Sequence, residues 1–474
     1  MTARRKEREK LEELYNSPKA ELVTICGRIG IGKTYLVEDV FRNRIDFSHT
    51  ALSPAATKCG RSRTREQLIQ FYYSLLRYGM QKDHIPHDWM EAFFMLEMFL
   101  DGKKTEGKMV VFLDELPWLD TPRSGFITAF EGFWNNWGCR KDNLLLIVCG
   151  SANSWIINKL INNHGGLYNR VTYEINLAPF TLHECKEYFL SRNIEFSDYD
   201  ITQAYMIMGG IPYYLAYITP EDSLVRNIDN MFFSRNAKLQ AEFSRLFSSV
   251  FDNPELIMEI VRILNKRSMG FERKDVLREL GRIDNSSFTR AFDALEAGNF
   301  VLRYVPFGKK KSQSYYKLID PFCIFYLRFI ENKTSLDEDF WMQNVTAPAI
   351  NSWRGYAFEN VCFNHIPQIK KALGISGVTT SYSAWTNGKT QIDLLIRRKD
   401  NTMNMCELKF YNSEYTVTKS YYEKLKEKEV ILSDYIPKRM AIHTTLVTTF
   451  GLKYNNYSSV FSNTITLKDL FSEA

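Results

Sequence analysis

The chain has 474 residues, too many for one hydrophobic core and enough for about three domains. Its 45% apolar and 24% charged content is that of a globular protein and excludes long disordered spans. With 61 Lys and Arg against 55 Asp and Glu, a formal charge of +6, local contact with nucleic acid is allowed but not demanded.

The 8 cysteines (26, 59, 139, 149, 185, 323, 362 and 406) occur singly, without C-x-x-C or paired Cys/His spacing. Neither a disulfide framework nor a zinc site is expected, and a reducing cytoplasm fits. The start of the chain, Met-Thr-Ala-Arg-Arg-Lys-Glu-Arg-Glu-Lys-Leu, is charged where a signal peptide is apolar. No run approaches the roughly 18 to 20 apolar residues of a membrane span, so no membrane partner is expected.

Residues 4 to 16 carry Leu11, Leu14 and Tyr15 at helical spacing, which predicts a short amphipathic helix. An apolar, β-branched run from Leu22 to Cys26 then reads as a buried strand. It leads into Gly27, Arg28, Ile29, Gly30, Ile31, Gly32, Lys33 and Thr34, a complete G-x-x-x-x-G-K-[ST] phosphate loop. In such a loop successive backbone N–H groups turn toward a phosphate chain, and the next helix aims its positive end at the same place. Lys33 is expected to reach the β- and γ-phosphates of ATP, and the Thr34 hydroxyl to bind Mg²⁺.

Two helical patterns fill residues 60 to 101, and the Met and Phe stripe from Trp89 to Leu100 reads as core. Met109 to Leu113 form a second apolar strand ending in Asp114 and Glu115. An acidic pair at the C-terminal end of a parallel strand lies where ligands bind. Asp114 is expected to hold Mg²⁺, and Glu115 to polarise the attacking water. A third strand from Asn143 ends in Ser151, a candidate γ-phosphate sensor with Asn153 as its competitor; a plain turn fits as well.

These motifs resemble the AAA+-like P-loop ATPases, in particular the archaeal and bacterial ATPase family related to the STAND NTPases. The resemblance rests on Gly-Arg-Ile-Gly-Ile-Gly-Lys-Thr, Phe-Leu-Asp-Glu-Leu-Pro-Trp-Leu, Cys-Gly-Ser-Ala and Gly209-Gly210-Ile-Pro212, and covers roughly residues 1 to 230. It implies that Arg170 contacts nucleotide, in its own subunit or, in a homo-oligomer, in a neighbour's. A surface arginine fits the same position. His164 in the same loop reads as a polar loop residue. From Thr181, which opens a capping pattern with Glu184, helices run to about residue 246. Gly209-Gly210-Ile-Pro212 within them resembles the element by which a helical lid senses nucleotide, although a helix terminator would look similar.

Between residues 254 and 318, three helical patterns precede two short apolar segments separated by Gly308-Lys309-Lys310-Lys311. That is the order of a winged helix-turn-helix. Ser286, Ser287, Thr289 and Arg290 on its third helix suit a DNA major groove, and the wing lysines suit phosphates. A rigid ATPase lid is the alternative. The aromatic run after Asp320 reads as core.

In the last part, Glu359 lies on a helical pattern, Asp393 on a strand, and Glu407 and Lys409 on one face of the next strand. Two carboxylates and a lysine converging on adjacent strands would bind Mg²⁺ or Mn²⁺. This part resembles the PD-(D/E)xK nuclease superfamily, as the domain of uncharacterised function that often follows this ATPase type, over about residues 350 to 450. Ile392 replaces the motif's Pro. The resemblance implies that Glu359, Asp393 and Glu407 bind metal and that Lys409 is catalytic. A degenerate fold used only for binding is the alternative, and Tyr421, Tyr422 and Lys424 either face nucleic acid or pack.

The expected fold class is α/β: a parallel-sheet P-loop NTPase core (1–178), a helical lid (179–250), a winged helix (251–335) and a restriction-endonuclease-like domain (336–474). The expected function is ATP hydrolysis coupled to DNA binding and metal-dependent DNA cleavage. A STAND-like ATP switch with a non-cleaving C-terminal module is the alternative.

Overall fold

The computed structural model describes residues 3–53, 61–104, 107–151, 153–161, 165–251, 253–332 and 337–473. Five parallel strands form the first sheet: β1 (Glu21–Gly27), β2 (Ile45–Thr50), β3 (Met109–Asp114), β4 (Leu144–Gly150) and β5 (Tyr173–Leu177), in the order β2-β3-β4-β1-β5. Every residue of β1, β3 and β4 is buried, because helices cover both faces of the sheet. Alternate residues serve opposite faces. Val23, Ile25, Val110, Phe112, Leu145 and Ile147 pack toward the helices Arg5–Tyr15 and Lys33–Phe41. Leu22, Val111, Leu113 and Leu146 pack toward the helices Arg61–Arg77, Trp89–Asp101 and Phe126–Asn136. The Met and Phe stripe is core only in part: Phe93 and Leu96 are buried, whereas Met90, Phe94 and Met98 face outward.

β4 lies between the phosphate-loop strand β1 and the acidic strand β3. All three end at one edge of the sheet, which brings Gly27, Asp114 and Ser151 together in space.

Helices Leu182–Leu190, Asp198–Met208, Pro212–Leu215, Leu224–Phe232 and Glu242–Val250 follow. Thr181 and Glu184 form the expected capping box. The middle module contains helices Pro254–Leu264, Arg273–Leu280 and Ser286–Ala297 with a small antiparallel sheet of β6 (Phe271–Glu272), β7 (Val301–Tyr304) and β8 (Tyr315–Leu318). The helix Pro321–Phe329 is core, as expected. Its Phe325 ring meets the rings of Trp341 and Trp353 at 5.2 and 5.5 Å.

The last sheet runs β15-β13-β11-β10-β9, from β9 (Thr380–Thr386), β10 (Gln391–Arg398), β11 (Thr402–Lys409), β13 (Ala441–Thr448) and β15 (Asn463–Ile465). A short pair, β12 (Tyr415–Thr416) and β14 (Leu452–Lys453), flanks it. β9, β10 and β11 are antiparallel, and β13 joins β11 in parallel after the helix Lys419–Ser433. One apolar core is continuous from Val23 and Ile25 through the lid and middle module to Phe358, Cys406 and Val447. The parts of this chain are therefore packed together rather than strung on linkers.

Candidate functional site

The phosphate loop is closed around its own lysine. Lys33 is buried and donates to the carbonyls of Gly27 at 2.9 Å and Arg28 at 3.2 Å. Gly30 has φ +78, and a Cβ there would lie 2.9 Å from Cβ of Tyr213. Only glycine lets the lid come this close, and Tyr213 N–H donates to the Gly30 carbonyl at 3.2 Å. The segment Gly209-Gly210-Ile211-Pro212 thus leads the helices after residue 181 onto the loop. Gly210 (φ +66) has no room for a Cβ, which would meet the Phe180 carbonyl at 2.3 Å.

Thr34 Oγ1 donates to Asp114 Oδ2 at 2.8 Å. Asp114 Oδ1 accepts from the Glu115 N–H at 3.0 Å and the Cys149 thiol at 2.8 Å, and burial pushes that thiol well above its ordinary pKa. Two hard oxygen donors in contact at the mouth of a phosphate loop fit Mg²⁺. Glu115 (φ 50) turns its carboxylate to Ser151, whose N–H and hydroxyl both donate to Oε2 at 3.0 and 2.8 Å. Ser151 lies at the expected edge with Glu115 as its partner. The side chain of Asn153 and all of His164 lie outside what is described. Arg170 is exposed, with its N–H bonded to the Leu167 carbonyl at 3.0 Å.

A cavity of about 710 Å³ opens over Gly30 to Leu36 and Glu115. Its far wall comes from residues the sequence reading did not single out: Arg4, Phe180, Tyr188, Arg192 and Tyr213. The Arg4 guanidinium lies 4.8 Å from the Phe180 ring and donates to the Ala178 carbonyl at 2.6 Å. That wall joins aromatic surface to positive charge, as a nucleotide base and phosphates need.

Arg28 faces away from this cavity. It is buried, ion-paired with Asp320, and lies over the Phe300 ring at 4.3 Å. Burial disfavours its charge, but Asp320 more than compensates, so its pKa lies above the ordinary value. Asp320 also caps the helix Pro321–Phe329 by accepting from the Cys323 N–H at 2.7 Å.

A second cluster forms in the last sheet. The register pairing Leu394 with Cys406 sets Asp393 opposite Glu407, and Glu359 comes from the helix Pro348–Asn364. Glu407 is 1% exposed and fully engaged: Lys428 donates to Oε1 at 2.5 Å, Tyr421 to Oε2 at 2.6 Å, and Lys409 lies at 3.6 Å. Burial, then Asp393, push the Glu359 carboxyl up to about 7, and burial and Glu407 raise that of Asp393. Lys317 of β8 reaches Glu359 at 3.9 Å, and burial lowers its pKa. The four expected residues do come together. Lys317 and Lys428 were not foreseen, because nothing in their local spacing marks them. Tyr421 belongs to the cluster, Tyr422 packs on Tyr457 at 5.8 Å, and Lys424 is exposed. The acidic oxygens suit a hard cation, and Lys409 has Glu407 as its partner rather than standing unpaired.

In the middle module Ser286, Thr289 and Arg290 are exposed, with Thr289 accepting from Arg273 at 2.6 Å. Lys309 and Lys310 are exposed too, whereas Phe307 packs on the last sheet, its N–H donating to the Ala384 carbonyl at 3.4 Å. His84, His87 and Glu91 bring ligand atoms within 4.8 Å of one another, a histidine pair that cysteine spacing does not reveal. They are hydrogen-bonded among themselves, His84 Nε2 to Glu91 Oε1 at 2.7 Å.

A phosphate loop on a parallel sheet, with Thr34 against Asp114 and an acidic neighbour held by the next strand, is an arrangement similar to that of the P-loop ATPases. Residues 1–218 match the model of a family described as an ATPase domain predominantly from Archaea, and residues 326–428 match one described as archaeal and bacterial proteins of unknown function. An uncharacterized protein of Methanocaldococcus jannaschii is 23% identical over 443 residues, spanning 91% of this chain and 93% of that protein. Similar solved structures include a Walker-type ATPase of Pyrococcus abyssi, at 17% identity over 69% of this chain and 96% of that one with a TM-score of 0.49. Another is the ORC2 protein of Aeropyrum pernix in ADPNP–ADP complexes, at 13% identity over 75% of this chain and 94% of that one with a TM-score of 0.39. No helix among the described residues is long and apolar enough to cross a membrane.

Proposed function

We propose that the chain binds and hydrolyses ATP and couples nucleotide state to metal-dependent cleavage of DNA at the carboxylate cluster, in the cytoplasm. At the first site Lys33 would leave the Gly27 and Arg28 carbonyls for the phosphates, and Thr34 and Asp114 would hold Mg²⁺, which would supply charge neutralisation. Glu115 orients water toward the γ-phosphorus. A bond forms from water oxygen to phosphorus as the bond to the β–γ bridging oxygen breaks, the water gives up a proton to the phosphate being released, and ADP and phosphate leave.

The observation that carries the cleavage reading is the convergence of Glu359, Asp393, Glu407 and Lys409 from one helix and two adjacent strands. Mg²⁺ or Mn²⁺ bound there would supply an activated water and a Lewis acid. Lys409 would steady the attacking oxygen as one phosphodiester P–O bond breaks and the leaving oxygen takes a proton. Ser286, Arg290, Lys309 and Lys310 would hold the duplex, with the middle module acting as a winged helix. Arg170, exposed on its turn, would serve a nucleotide in a second copy.

A second reading is supported by the saturation of Glu407 by Lys428, Tyr421 and Lys409: an ATP switch whose last domain binds without cutting. The test is incubation of duplex and single-stranded DNA with the protein and Mg²⁺ or Mn²⁺, with and without ATP. Cleavage that is lost in Lys409→Ala and altered in Lys33→Ala supports the first reading. Intact DNA alongside continuing ATP hydrolysis rejects cleavage and leaves the switch.

A further inference from the structure

The carboxylate cluster contains a cation that its own sheet does not supply. Lys317 lies on β8 of the middle module, is 2% exposed, and makes its one ion pair among the described residues with Glu359. Two aromatic rings lie beside it, its ammonium being 4.7 Å from the Phe363 ring and 5.7 Å from the Tyr356 ring, and it also feels the charge of Asp393. An ammonium this deep is held by the negative charge it faces. Lys409 and Lys428 lie against Glu407, so among the described residues Lys317 is the one lysine in ion-pair range of Glu359.

A hard divalent cation takes carboxylate oxygens at about 2.0–2.6 Å. On Glu359 it would stand a few ångströms from the Lys317 ammonium, in an interior that screens charge poorly. The two cations compete for one carboxylate.

We propose that Lys317 is a resident counter-cation of the Glu359–Asp393–Glu407 cluster that a divalent metal displaces, so that the middle module sets the metal affinity of the last domain. This rests on the carboxylates being a metal site, as the cleavage reading has it. Displacement has a consequence built into the chain. Lys317 is the penultimate residue of β8 and lies three residues before Asp320, the partner of Arg28 in the phosphate loop. Withdrawing Lys317 shifts the segment that also holds Asp320, so metal entry at one site pulls on the nucleotide loop at the other. By linkage the influence is mutual.

The test is a Mn²⁺ titration of the nucleotide-free full chain, followed by the electron paramagnetic resonance of free Mn²⁺. All proteins carry Asp114→Asn to silence any ion at the phosphate loop. Lys317→Met is expected to bind Mn²⁺ at least about tenfold tighter, and Glu359→Gln added to it should abolish the gain. Unchanged or weaker binding by a Lys317→Met protein that still melts cooperatively overturns the proposal. If Lys317→Met does not fold, Lys317→Gln must show the same gain, and its failure to do so is equally contrary. Lys317→Arg, which keeps the charge, must stay near the parent. Tighter Mn²⁺ binding without DNA cleavage would uphold the role of Lys317 while removing the cleavage reading. Cleavage by the wild type with unaltered Mn²⁺ affinity in Lys317→Met would do the reverse.

Discussion

Asp114 shows how one buried carboxylate is held ready. Its two oxygens accept from Thr34, from the Glu115 backbone and from the Cys149 thiol, so it cannot rotate away from the phosphate loop. Glu115 is tied in turn to Ser151, a contact that the proposed water-orienting role would require it to loosen. General-base assistance is worth roughly 10² to 10⁴ in rate. We expect Glu115→Gln to lower ATP turnover by about that factor in a phosphate-release assay while a fluorescent ATP analogue still binds. Turnover within a few-fold of wild type would assign the water to another group. These residues were legible in the sequence because the phosphate loop and the acidic strand end are local patterns, with chemistry fixed by spacing. Lys317 and Lys428 were not, since each reaches its carboxylate from a distant element. A lysine on a short strand or an exposed-looking helix carries no local sign of a buried partner.

The helical segment 182–250 is fastened at two points, near its start and in its middle. Tyr213 holds it to Gly30 of the phosphate loop, and its first helix is held from the last domain by His365. Nδ1–H of His365 donates to the Val361 carbonyl at 2.7 Å, which leaves Nε2 to accept the Leu182 N–H at 2.9 Å. Burial pushes this imidazole down to about 4, because the charged form has no water to stabilise it and would turn a second donor against Leu182. The unfolded chain takes up this proton near pH 6.5 and the folded chain does not, so stability is lost as pH falls from about 6.5 toward 4. The loss amounts to about 3 kcal/mol for a fully buried imidazole. Thermal melts across that range should show it, and His365→Gln should flatten the slope. An equal slope in both proteins would mean that other groups dominate. The helices of the lid were readable from their caps and periodicity. Their attachment to residue 365 was not, because a histidine at a helix end is equally at home in solvent.

The chain behaves as one packed body, since a single apolar core runs from β1 to the last sheet and ion pairs cross it at Arg28–Asp320 and Lys317–Glu359. The alternation of helical and strand-forming stretches was legible because each has its own periodicity. The joint between modules was not, because residues 317 to 320 acquire their meaning only when the phosphate loop and the carboxylate cluster are folded against them. On the coupling proposed above, this segment makes ATP binding depend on contacts remote from the phosphate loop. Neither Asp320 nor Arg28 lines the cavity over the phosphate loop, and Asp320 reaches that loop through its ion pair with Arg28, so it isolates that dependence. The most direct measurement is a titration of full-length wild type and Asp320→Asn with a fluorescent ATP analogue, each checked by thermal melting. Removing one member of a buried pair costs about 3–5 kcal/mol of stability. If part of that reaches the loop, ATP affinity falls by at least about tenfold, equivalent to about 1.4 kcal/mol, in a protein that is still folded. Equal affinity in the two folded proteins would contradict the coupling and leave the ATPase and the carboxylate cluster as independent sites on one chain.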